Sequence, residues 1–397
     1  MDISKKILSD PVNKWLFKQP NKHLYLVGGY LRDLLIGRTS KDRDFVFKGD
    51  AEKLARQVAR KFNGTYILLK EGLTCRIVLK DKSVIDINYL TAPIEEDLAR
   101  RDFTINTIAW SPNRGLLDPF NGLNDIKSNK IRMINPLNLK SDPLRVLRAY
   151  RFAAQLGYFI TPETRRELQK FAKDLKFTAP ERITDELVKL LNNPNAGKHL
   201  QICINDNVLS HILNIEQDAL SSKIRLIKTF DRSNNTLSTE SNYLQSEISQ
   251  GMTRSAMIRL ALLLAQAHPT IKMLKFSRAN AVALKRILEA FHISTSARMD
   301  QSVLYRAFNK AGENSIEAAV LIGIIMRRQI LPLIRKAKEF IYIRNNPLLS
   351  GDVIQEMLGI EPGHKIGVIL TQLEEEQFKG NISSVLEAKR WIIHNLT

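Results

Sequence analysis

Two aspartates one residue apart, Asp42 and Asp44, follow a Gly28-Gly29 pair and an Arg32-Asp33 pair within a short stretch of chain. On a strand, residues two apart project from one face, so these carboxylates would stand side by side and repel. A divalent cation relieves that repulsion, and Mg²⁺ takes such oxygen ligands together with a substrate phosphate. Glycines between a strand and a helix let the backbone approach a phosphate closely, and the helix N-terminus adds a favourable field. Singly, the glycines read as a turn and the aspartates as solvated. Together they point to in-line phosphoryl transfer, with one ion acidifying an attacking hydroxyl and another steadying a departing pyrophosphate. Asp86, within Val84-Ile85-Asp86-Ile87-Asn88, is either a third carboxylate for that site or an edge-strand residue facing water.

Two further clusters supply cations. In Arg100-Arg101-Asp102-Phe103-Thr104-Ile105-Asn106, guanidiniums suit phosphate oxygens, while Asp102 and Asn106 can read sugar hydroxyls. An arginine-rich loop before an apolar strand at 105–110 is the alternative. In Ser141-Asp142-Pro143-Leu144-Arg145, Asp before Pro predicts a helix start, with Asp142 as cap and Pro143 in the first turn. Arg145, Arg148 and Arg151 then fall at i, i+3 and i+6 as one slanting basic stripe. From Asp142 the set spans about 13 Å of axis, enough to touch both a base and a triphosphate. A capped, solvated helix face is the alternative.

The elements that must position these groups alternate in the first part of the chain. Leu24–Val27 reads as a strand entering the diglycine, 30–36 as a helix ended by Gly37, and 44–47 as a second strand. A helix at 51–62 and a strand at 65–69 follow, then a hairpin whose arms, 76–79 and 84–88, flank Lys80-Asp81-Lys82-Ser83. Beyond residue 140, apolar residues recur at spacings of three and four, and helices are predicted near 255–266, 279–291, 302–310 and 318–340. The polar stretch 231–247 predicts a loop. A small mixed α/β head with an antiparallel-type sheet, followed by an all-helical remainder, is therefore expected: an α+β chain.

The 397 residues suit several domains, and a 44% apolar share supplies ample core. Cys75 and Cys203 stand too far apart for a disulfide framework or a zinc pattern, which suggests a reducing, cytoplasmic setting. No apolar run is long enough to span a membrane, and the N-terminal segment lacks a signal-peptide core. With 60 Lys and Arg against 41 Asp and Glu, the net charge of +19 predicts a polyanionic partner such as nucleic acid. The segment 280–286 and the residues Arg327, Arg328, Arg335, Lys336 and Lys338 are candidate contacts, or else solvated helix faces.

Together these motifs resemble the class II tRNA nucleotidyltransferases and the similar bacterial poly(A) polymerases. The resemblance rests on the diglycine to Asp-x-Asp element at 28–44, the Arg-Arg-Asp-Phe-Thr-Ile-Asn run, and Asp118-Pro119-Phe120-Asn121-Gly122 with Asp125 and Ile131-Arg132. It continues in the helix from Asp142 to Arg151, in Ala179-Pro180-Glu181-Arg182, and in late segments around Gly351 and Pro362. It implies a catalytic head at 1–138, a base-reading neck at 139–197, a body at 198–300 and a tRNA-gripping tail at 301–397. The implied reaction adds nucleotides from CTP or ATP to the tRNA 3′ end without a template, releasing pyrophosphate and requiring Mg²⁺. Asp42 and Asp44 would be the metal ligands, with Gly28, Gly29 and Arg32 beside the nucleotide. Arg101, Asp102 and Asn106 would hold ribose and phosphate, Arg148 and Arg151 the triphosphate, and Asp142 and Arg145 the base.

Hydrogen bonding supports that last role. A carboxylate accepts from the amino group of C or A, and a guanidinium donates to a ring acceptor of either; U and G present a carbonyl there instead. Three departures from the family pattern stand out. Ser141 precedes Asp142 where relatives have Glu, and Ala265-Gln266 replaces a His-Asp metal pair, which disfavours phosphohydrolase activity. Only residues 88–99 separate the strand of Asp86 from Arg100, where many CCA-adding relatives have a longer flexible loop that reshapes the pocket from C to A. The short connection points to a CC-adding enzyme; A-adding, full CCA-adding, poly(A)-polymerase and non-catalytic RNA-binding readings are the alternatives.

Overall fold

A computed structural model describes residues 3–20, 23–70, 74–233, 237–249, 251–265, 274–295 and 298–396. The chain forms two compact units, Met1–Thr178 and Ala179–Thr397. The first is built on a seven-stranded sheet of β1 (Leu24–Val27), β2 (Asp42–Phe47), β3 (Thr65–Lys70), β4 (Thr74–Val78), β5 (Val84–Tyr89), β6 (Ala109–Ser111) and β7 (Gly115–Leu117), in the order β3-β4-β5-β2-β1-β6-β7. Every pairing is antiparallel except β2 with β5, which run parallel. The helix after β2, Ala51–Lys61, makes that return possible by crossing one face, where it buries Leu54, Ala55 and Val58.

Alternation decides what each face carries. Phe45, Ile77, Ile85 and Ile87 are fully buried on the side of that helix, where Phe17 also packs edge-on to Trp110. The opposite face gathers Tyr25, Val27, Val46 and Ala109 under Ile94 and Leu98 of the helix Ile94–Ala99. Two N-terminal helices, Ile3–Ser9 and Pro11–Lys18, escape the sequence reading, although Asp10 before Pro11 caps the second through the amides of Val12 and Asn13. The expected strand at 105–110 is instead a single 3₁₀ turn, Thr104–Asn106, followed by β6.

The second unit is mostly helical, with one small hairpin (Glu247–Ser249 and Met252–Thr253) turning at Gly251, so the remainder is not wholly α. Two predominantly apolar helices, Arg254–Leu264 and Ser315–Ile325, form its centre, buried along nearly their whole lengths, with Arg254 of the first paired to Glu317 of the second. The polar stretch after residue 231 is only partly loop, because Ser238–Glu240 and Ser241–Gln245 are short helices. The helix expected over 318–340 is two, Ser315–Ile325 and Ile330–Asn345; the break comes where Arg327 takes a left-handed φ of 54° and the Arg328 amide returns to the Gly323 carbonyl. Of the replaced metal pair, Ala265 is buried, while Gln266 lies outside the described residues. Cys75 and Cys203 are both free and buried. Among the described residues no helix is long and apolar enough to cross a membrane.

One glycine of the head tests the packing directly. Asp118 accepts from the Gly122 and Leu123 amides, and this draws Gly122 so close to the Thr104 carbonyl that a Cβ would collide with backbone. Gly122→Ala should therefore destabilise the protein by about 1–3 kcal/mol, read as a lowered urea midpoint with an unchanged m-value.

Candidate active site

The parallel pairing sets Asp86 of β5 beside Asp44 of β2, and the antiparallel hairpin sets Arg76 of β4 opposite Asp86. Arg76, Asp86 and Asp44 thus form one row across three strands. Asp42 shares their face because the intervening Arg43 is committed to the other side, where it forks onto Asp10 and lies over the Tyr30 ring. Burial pushes the Asp44 carboxyl above the usual carboxylate range; Arg101 opposes this, and Asp86 and Asp42 add to the rise. Crowded, oxygen-only donors of this kind fit a hard divalent cation, and Asp42 and Asp44 are the pair that would hold it.

Asp86 does not join them as an open third ligand. Arg76 grips both of its oxygens through Nε and Nη2, each at 2.8 Å. Among the described residues no group of three or more His, Cys, Asp or Glu side chains is arranged to hold an ion. Nor is Asp86 an edge residue facing water, because β5 is interior to the sheet and the side chain is only 16% exposed.

Gly28 closes the site from β1. Its φ of +76° lies in the left-handed region, and a Cβ there would stand 2.9 Å from Arg101 Nη1 and 3.5 Å from Asp44 Oδ2. The missing side chain is the place where carboxylate and guanidinium approach each other. Gly29 has no such constraint; its nearest neighbour would be Arg32 at 3.5 Å.

Behind this lies a buried polar chain. Arg32 donates to Asn106 Oδ1 at 2.7 Å, Asn106 donates to Asp102 Oδ1 at 2.9 Å, and Arg148 Nε donates to Asp102 Oδ2 at 2.8 Å. The Phe103 amide completes the shell of Asp102. Asp102 and Asn106, expected to read a sugar, are thus 5% and 6% exposed and hold Arg32 and Arg148 in place. Burial alone would raise the Asp102 carboxyl, but Arg148, Asn106 and the Phe103 amide outweigh it and bring the pKa to about 2.

Phe152, which continues the resembling helix beyond Arg151, has no role assigned to it by the sequence alone. The guanidinium carbons of Arg151, Arg32 and Arg148 lie 3.8, 5.1 and 5.3 Å from its ring centre. Asp33 pairs with Arg32, Asp102 with Arg148, and Gln155 accepts from Arg151, so the three guanidiniums are held as a fixed array around the ring, a presentation that suits a polyanion such as a triphosphate. Its position directly after Arg151 and four residues after Arg148 is the signal that marks it.

Asp142 and Arg145 also come together, though not as a helix cap. Asp142 closes the short helix Pro136–Ser141, Pro143 occupies the cap position of the helix Leu144–Leu156, and the Asp142 carboxylate lies 4.0 Å from Arg145. Arg145 is further held by the carbonyls of Asn138 at 3.1 Å and Arg101 at 3.5 Å. Asn138 ties the elements together, its amide donating to the carbonyls of Ala99 and Arg101, each at 2.7 Å. Ser141 donates to the same Asn138 carbonyl that holds Arg145.

The family profile of the poly(A) polymerase head domain matches residues 24–91 and 71–132, and that of the probable RNA- and SrmB-binding site of polymerase A matches 157–218. The CC-adding tRNA nucleotidyltransferase of Geobacter sulfurreducens is 30% identical, over 93% of this chain and 91% of its own length. The chain belongs to the tRNA nucleotidyltransferase family. A-adding members lie in the same range: the A-adding tRNA nucleotidyltransferase of Deinococcus radiodurans is 28% identical over 92% of this chain and 94% of its own. The Thermotoga maritima CCA-adding enzyme, solved in complex with tRNA, shares the fold with a TM-score of 0.75 at 24% identity, covering 100% of this chain and 99% of that one.

The Asp102 network carries a pH signature. Its carboxyl sits below the value of 3.8 expected in the unfolded chain, so its contribution is fully present above that value and is lost as pH falls through about 2. In acid-unfolding curves the wild type should lose about 2 kcal/mol over this window that Asp102→Asn does not.

Proposed function

We propose that the protein transfers CMP from CTP to the 3′ end of tRNA without a nucleic-acid template, releasing pyrophosphate. The observation that carries this is the meeting of Asp44 with Arg101 at the side-chain-free face of Gly28, with Asp42 two residues from Asp44 on the same strand face; the arginines around Phe152 belong to the same head. Asp42 and Asp44 would hold Mg²⁺, which supplies acidity to the attacking 3′-hydroxyl and charge to the triphosphate. Arg148 and Arg151 orient the triphosphate, and Arg101 is poised for the oxygens of the reacting phosphate. In the transfer, the RNA 3′ oxygen bonds to the α-phosphorus as the bond to pyrophosphate breaks. Asp142 and Arg145 supply an acceptor and a donor edge that C satisfies, whereas the carbonyl of U meets the carboxylate acceptor to acceptor.

Restriction to C is supported by the segment between Asp86 and Arg100. It contains the helix Ile94–Ala99, anchored by Ile94 and Leu98 in the core with Tyr25, Val27 and Val46. A segment held this way is a poor lever for recasting the pocket from C to A. The A-adding relative keeps A addition as the competing outcome. Single-nucleotide incorporation on tRNA ends trimmed to zero, one and two cytidines separates the two. Incorporation of CMP at the first two ends and nothing at the third is expected; AMP at the third alone would reverse the reading, and long A tails on unstructured RNA would replace it with poly(A) synthesis.

Two variants examine the roles. Asp44→Asn should reduce transfer by about a thousandfold, the several kcal/mol expected of lost ion chemistry, while raising the melting temperature because one member of a crowded acidic set is neutralised. Asp142→Ala should lower discrimination between CTP and UTP by about two orders of magnitude while pyrophosphate release persists, measured as the ratio of kcat/KM values.

A further inference from the structure

Nucleotidyl transfer as derived above makes no use of Arg76. It lies within β4 between the buried Cys75 and Ile77, so alternation turns it to the carboxylate face. There its fork closes on Asp86 in the bidentate geometry that makes guanidinium–carboxylate pairs strong. That fork holds the Arg76 guanidinium above its ordinary value, and Asp42 and Asp44 add to the pull. Asp86 cannot turn toward an ion beside Asp44 without breaking two charge-assisted hydrogen bonds. A fixed positive charge also stands where three acidic side chains would otherwise face one another. The side chain is 39% exposed, so the contact arises from the sheet register and not from confinement.

We propose, resting on the nucleotidyl-transfer reading, that Arg76 is a positioning residue that withdraws Asp86 from the metal ligands and supplies part of the neutralising charge itself. The divalent ion is then held by Asp42 and Asp44 alone. Two carboxylates leave most of the ion's octahedral positions to water, so the free protein holds it weakly. An incoming triphosphate adds the missing oxygens, and ion and nucleotide bind as a coupled pair. A site with three open carboxylates would instead hold the ion before any nucleotide arrived.

Mn²⁺ uptake by the full chain, followed by the EPR signal of the free ion with and without CTP, reads this without RNA or turnover. Wild type should bind weakly alone and more tightly with CTP. Arg76→Ala should tighten Mn²⁺ binding without CTP by about tenfold, because a cation is lost and Asp86 is released. Adding Asp86→Asn to it should restore weak binding. Arg76→Lys keeps the charge without the planar fork and should fall between. If Arg76→Ala is unfolded by circular dichroism, Arg76→Gln carries the same comparison. Unchanged or weaker Mn²⁺ binding in the folded variant overturns the role of Arg76 and leaves the carboxylate site standing. No uptake by wild type with CTP, or uptake indifferent to Asp44→Asn, overturns the site itself and the role of Arg76 with it.

Discussion

Like charges brought together on one sheet face are the constraint on which the site depends. The parallel pairing of β2 with β5 places Asp86 directly beside Asp44, with Asp42 one step along the same strand. Left alone, such a set would lift carboxyl pKa values and strain the head. Every neighbouring element answers it: Arg76 from β4, Arg101 from the end of the helix Ile94–Ala99, and a side-chain-free Gly28 from β1 that lets Arg101 come close. The negative charge left over suits a hard divalent cation.

A second balance operates in the opposite sense. Arg32, Arg148 and Arg151 converge on Phe152, and Asp102 with Asn106 tethers two of them. Asp102 is the buried anion that fixes this cationic cluster, much as Arg76 is the cation that fixes an acidic one. The head therefore presents an acidic half and a basic half held at short range by counter-charges of its own. Such preorganisation favours a substrate that is itself a metal-bound polyanion, and it costs little rearrangement when that substrate binds.

The segments that carry the site were legible because their chemistry is local. Strand alternation sufficed to put Asp42 and Asp44 on one face, and a diglycine between strand and helix marked the turn where φ becomes positive. The hairpin around 80–83 was equally plain, yet its register was not read through to the pairing of Arg76 with Asp86. Asp142 misled as a cap: Asp-Pro signals a helix start whether or not the carboxylate turns back to an amide, and here it lies toward Arg145 instead. Arg327 broke a helix that periodicity ran straight through, because a left-handed residue leaves no mark in apolar spacing.

Residue types and their spacing along the chain determined by themselves which groups exist to do chemistry, and that a mixed head precedes a mostly helical remainder. These follow from the steric periods of helix and strand, which act over a few residues. Tertiary structure alone decided which of those groups neutralise one another and which keep an open side. Asp86 became an ion-pair partner, and Asp102 and Asn106 became supports, because strands and loops distant in sequence brought Arg76, Arg148 and Arg32 within hydrogen-bond reach. Charge interactions act through space at a few ångströms, and only the folded register sets those distances.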